Sequence, residues 1–92
     1  MSNVLLANIN KIHTSNLGID RIKKNLRMEI EDVVEFCKNM ILDQKAYIYK
    51  IGKNWYCETG DIKITINSHS YSIITCFTIP VFSYFIYIGF LI

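Results

Sequence analysis

Apolar positions recur along this chain with two different periods, and the change between them divides it. Up to about Asp43 they fall three and four apart, the spacing that lines one face of a helix. From Ala46 onward they alternate with polar ones, the two-residue period of a strand with one buried face. Leu5, Ile9 and Ile12 predict a short first helix from Ser2 to Ile12, capped by Ser2 or Asn3. His13-Thr14-Ser15-Asn16 interrupts, and Thr14 or Ser15 is placed to cap a second helix carrying Leu17, Ile19, Ile22 and Leu26. The strongest pattern, Ile30, Val33, Val34, Cys37, Met40 and Ile41, predicts a third helix over Met28–Asp43.

The alternating half predicts four strands. Ala46–Ile51 is rich in β-formers, Gly52-Lys53-Asn54 makes a turn, and Trp55–Glu58 follows, closed by Thr59-Gly60-Asp61. Ile62, Ile64 and Ile66 alternate with Lys63, Thr65 and Asn67, Asn67-Ser68 is a turn, and Ser70–Cys76 is the fourth strand. Connections this short make an antiparallel meander. The fold class expected is α+β: about three N-terminal helices packed on a four-stranded antiparallel β-meander, as one domain over residues 1–76.

Charge changes that picture at one end. All charged side chains lie at or before Lys63, so residues 64–92 carry none. Residues 73–92 are long enough for a membrane-spanning helix, but Pro80 falls inside them and their first part is needed as the fourth strand. Residues 77–92 are read as an apolar C-terminal extension, with a membrane anchor as the alternative. Nearer the start, Lys11, Arg21, Lys23, Lys24 and Arg27 stand against Asp20, a net of +4 over residues 11–27. A phosphate-binding surface explains the cluster, and so does a solvated helix face whose cations suit the helix C-terminus. Three cysteines without a CxxC pair argue against a zinc site and for free buried thiols in a reducing, cytoplasmic setting. No metal and no cofactor is expected. No basic n-region with a long apolar run marks a secretory leader, and no phosphate loop, nucleophile elbow or HExxH motif occurs.

What remains for chemistry is sparse. Metal-independent RNA cleavage needs a base for the ribose 2′-hydroxyl, a proton for the leaving oxygen, and cations on the phosphorane. Histidine is the natural base near neutral pH. His13, at a helix junction, is the candidate, although a residue there can equally pin the corner; His69 sits in a turn and reads as exposed. Arg21 is the candidate clamp, because a guanidinium binds phosphate bidentately. Lys11, Lys24 and Lys53 are further phosphate-binding candidates, Tyr56 and Tyr71 can stack on bases, and Ser70 and Thr75 add hydroxyls beside Ser72 on the last strand. Trp55, alternating with Tyr56, reads as core, as does Cys37 within its apolar stripe.

Lys11-Ile-His-Thr14, Leu17-Gly18, Arg21–Leu26, Asp32-Val-Val34, Cys37-Lys38, Gly52-Lys-Asn-Trp-Tyr56, Ile64–Asn67, Ser70-Tyr71 and Ile73-Ile-Thr75 occur in that order. Together they resemble a small bacterial family, domain-of-unknown-function (DUF) family 3781, over about Leu5 to Thr75. The resemblance implies a fold and carries no established activity. In the family pattern the last strand ends Ile-Ile-Thr-Ala-His-Lys; here Cys76-Phe77-Thr78 follows Thr75, so no role for that His and Lys transfers. The order of helices then meander is also similar to the barnase–EndoU–colicin–RelE class of small ribonucleases, an analogy of fold alone. The expectation is an RNA- or phosphate-binding protein with an RNase-like site between the helix bearing His13 and Arg21 and the exposed sheet face. The alternative is a non-catalytic module that binds a protein partner, tethered or not to a membrane through residues 73–92.

Overall fold

A computed structural model describes residues 3–79. They form α1 (Asn3–Ala7), a 3-10 turn (Ile9–Lys11), α2 (Asn16–Leu26), α3 (Val33–Leu42), and strands β1 (Tyr47–Ile51), β2 (Asn54–Thr59), β3 (Ile62–Asn67) and β4 (Ile73–Thr78). The strands pair antiparallel in the order β1-β2-β3-β4. The class is α+β, with helices packed on one face of a four-stranded meander.

The first helix is shorter than its periodicity suggests. The Asn8 side-chain amide donates to the Val4 carbonyl at 2.7 Å, the local competition by which asparagine ends helices. Leu5 and Ile12 are nonetheless buried on either side of the break. Ser15 caps α2, its hydroxyl accepting from the Gly18 amide at 3.1 Å, and α2 ends where Arg27 turns left-handed at φ 54. That turn delays the third helix to Val33, five residues later than the apolar stripe predicted. Asp32 is its cap, accepting from the Glu35 amide at 3.0 Å, so Glu29 and Glu31 lie in the connection and not in the first turn. Leu17, expected on the buried face, is 70% exposed; the face is set by Ile19, Ile22 and Leu26.

Gly52 and Gly60, at φ +60 and +59, make the two tight turns, a backbone region that side-chain-bearing residues rarely adopt. The third turn is longer than expected. Asn67 Oδ1 accepts from the amides of His69 and Ser70, and Tyr71 stands at φ 60, so β4 begins at Ile73 and runs to Thr78. Phe77 and Thr78 thus belong to the sheet, two residues beyond the expected domain end. Residues 73–78 being a strand, they do not start a spanning helix. No helix among the described residues is long and apolar enough to cross a membrane. The remainder of the apolar extension, residues 80–92, lies outside the described residues.

Ile48, Trp55, Cys57, Ile62, Ile64, Ile66, Ile73 and Cys76 face the helices and meet Ile22, Leu26, Val33, Cys37 and Ile41 there. The opposite face carries Tyr47, Tyr49, Tyr56, Glu58, Lys63 and Phe77, with Tyr49 and Tyr56 stacked at 5.3 Å. In β4 the alternation breaks once. Thr75 pairs with Thr65 and Ile73 with Ile66, leaving Ile74 unmatched in a bulge beside α2.

Candidate functional site

α2 lies against β4, the last strand of the sheet, and a groove of about 330 Å³ opens where the two meet. One stripe of α2 supplies Gly18, Arg21, Ile22 and Asn25, spaced i, i+3, i+4 and i+7. The strand supplies Ser72, Ile73, Ile74, Thr75 and Cys76, and the segment leading into α2 supplies His13, Thr14 and Ser15.

His13 is placed by backbone pairing. Its amide donates to the Tyr71 carbonyl at 3.2 Å and its carbonyl accepts from the Ile73 amide at 2.9 Å, a parallel bridge that ties the residue to the start of β4. Its ring Nδ1 lies 2.9 Å from the Lys11 carbonyl oxygen. A carbonyl oxygen can only accept, so in the neutral ring Nδ1 carries the proton and Nε2 the lone pair. Arg21 projects from α2 as an exposed side chain on the same groove. Gly18 has a specific reason to be glycine: a Cβ there would lie 2.0 Å from Thr14 Oγ1, so the threonine side chain fills the space a larger residue would need. The N-terminal end of α2, electropositive through the aligned peptide dipoles, borders the groove at the same point.

Of the residues singled out from sequence, the groove gathers His13, Arg21 and Thr75, with Ser72 beside them. The others lie elsewhere. Lys24 is one position round the helix from the groove stripe. Lys11 sits over the Tyr71 ring at 5.6 Å, and that ring packs against the core. Lys53 is in the β1–β2 turn, its carbonyl accepting from the Ser68 amide. The Ser70 hydroxyl is spent on the turn, donating to Asn67 Oδ1 at 3.2 Å and accepting from the Ser72 amide. Tyr56 is on the helix-free face, under Lys63. The groove therefore opens at the β4 edge beside α2, and Thr75 lies on it although its register, opposite Thr65 and two before Phe77, is that of the helix-free face. Asn25 and Ile74 were not foreseen. The Gly18–Arg21–Asn25 spacing is a signal for the first, and the Ile73-Ile74 doublet, which breaks the strand's alternation, for the second.

The arrangement holds one imidazole with a free nitrogen, one guanidinium, one amide and several hydroxyls. The one cysteine lining it, Cys76, is wholly buried, as are Cys37 and Cys57, and a hydrogen bond with Cys37 lowers the Cys76 thiol against the opposing effect of burial. A hydrogen bond to Cys76 and burial push the Cys37 thiol up, and burial pushes Cys57 up to about 12. Among the described residues no cluster of His, Cys, Asp or Glu is arranged to hold a metal ion. Such a set suits binding of a phosphate or other oxyanion and a proton transfer at its edge.

A family model described as "Protein of unknown function (DUF3781)" matches residues 6–76. No curated protein and no solved structure matches the chain.

Proposed function

The chain belongs to the DUF3781 family of proteins of unknown function, and within it we propose a protein that binds an RNA phosphodiester in the α2–β4 groove and cleaves it without a metal. The observation that carries this reading is His13 held with Nδ1 on the Lys11 carbonyl, leaving Nε2 as a base on the same groove as Arg21. Nε2 takes the 2′-hydroxyl proton, and the 2′-oxygen attacks phosphorus. The P–O5′ bond breaks, giving a 2′,3′-cyclic phosphate, and the 5′-oxygen takes a proton from water. Arg21 pairs with the non-bridging oxygens as their charge grows.

The test is cleavage of a single-stranded RNA in excess EDTA. His13→Ala is expected to lose about 10²–10⁴-fold, the usual contribution of a general base. Arg21→Ala is expected to lose about 10²-fold or more, with circular dichroism unchanged. Cleavage at wild-type rate in both variants contradicts the assignment.

A second reading, a non-catalytic module for a protein partner, is favoured by the helix-free face, where Tyr47 is 67% and Ile51 64% exposed. It predicts no turnover and a complex broken by Tyr47→Glu but not by His13→Ala.

A further inference from the structure

The groove runs along α2 from Gly18 to Asn25, seven residues or about 10 Å of helix. Its polar groups are unevenly spread. His13, Thr14, Ser15 and Arg21 stand toward the helix N-terminus, and Asn25 stands at the other end, facing Ile74 and Cys76 across the gap. A phosphate held at the first end leaves the second for whatever lies one nucleotide's length away.

Asn25 Nδ2 lies 3.5 Å from the Cys76 carbonyl oxygen, which can only accept, so the amide nitrogen faces the strand. One N–H and the Oδ1 acceptor remain, a donor beside an acceptor. Ile74, put there by the bulge and 45% exposed, gives an apolar surface against which a planar ring can lie. On its Hoogsteen edge adenine alone complements this pair, because there its exocyclic amine donates beside a ring nitrogen that accepts. Its two rings also reach further from the ribose than a pyrimidine does.

We propose that Asn25 selects adenine in the nucleotide that supplies the 2′-hydroxyl, so that the groove takes an adenosine 3′-phosphate unit. This rests on the reading of the groove as a phosphate site.

Adenosine, cytidine, guanosine and uridine 3′-monophosphates and inorganic phosphate, titrated calorimetrically into the full chain, separate the two. Adenosine 3′-phosphate is expected to bind about tenfold more tightly than uridine 3′-phosphate. Asn25→Ala, confirmed as folded by thermal denaturation, should erase that preference. Arg21→Ala should weaken all the ligands alike. Equal binding of the four nucleotides, with phosphate binding lost in Arg21→Ala, overturns base selection and leaves the phosphate site standing. An equal loss of every ligand in Asn25→Ala also overturns selection, since the amide then only braces β4. If neither phosphate nor any nucleotide binds, the groove reading falls and the selection with it.

Discussion

Two residues report their surroundings directly. Tyr49 donates its hydroxyl to Glu58 Oε2 at 2.5 Å, and that bond, with smaller effects of burial and nearby charge, raises it from an ordinary 10.0 to about 12. Because the folded value lies above the unfolded one, the bond's contribution is complete below about pH 10 and is lost as pH rises through about 12. An ultraviolet titration should show one tyrosine ionising near 12, and Glu58→Gln should return it to the ordinary range; an unaltered titration in that variant would count against the pair. Gly18 is the second. Alanine there gains about 1 kcal/mol of helix propensity, but overpacking against Thr14 costs about 1–3 kcal/mol, so Gly18→Ala should lose about 1 kcal/mol net. Chemical denaturation should show the loss recovered in the Thr14→Ala/Gly18→Ala double variant. Neither effect was legible in the sequence. There Gly18 reads only as a weak helix residue, and the close approach of Thr14 exists only once the cap has formed.

Elements were easier to read than their ends. The apolar stripes named the helices correctly because burial of a face outweighs local preference, and Ile22, Leu26, Val33, Cys37 and Ile41 are buried as their spacing requires. Ends depend on single side chains that the stripe does not weigh. Asn8 stopped the first helix by bonding Val4, and Asp32 began the third, with Glu35 at the position that completes a capping box. Asp32→Ala should therefore cost about 1 kcal/mol in a denaturant titration while leaving groove ligands bound as before. A variant as stable as wild type would show that α3 is held by packing alone. The β4 bulge lay beyond the pattern for a different reason. A run of Ile-Ile-Thr fits a regular strand in either of two registers, and only its pairing with β3 decides that Ile74 is the unmatched residue.

Across the whole molecule, one helix layer covers one face of the sheet, and the candidate chemistry gathers at the edge where α2 meets β4. His13 and Arg21 were legible as residue types suited to phosphate chemistry. Their meeting was not, because it depends on a single parallel bridge between His13 and Ser72, just before β4, with no sequence period of its own. The core should be closed to reagents: all three cysteines are free and fully buried, so a thiol-specific chromophore should react only as the protein unfolds. The proposed function rests on what His13 does to RNA. Mass spectrometry of the fragments from a metal-free digest of single-stranded RNA by the full chain reads this directly. Fragments ending in 2′,3′-cyclic phosphate and beginning with 5′-hydroxyl, absent with His13→Ala and with the matching DNA, are the predicted result; intact RNA, or ends bearing 5′-phosphate and 3′-hydroxyl, would contradict it.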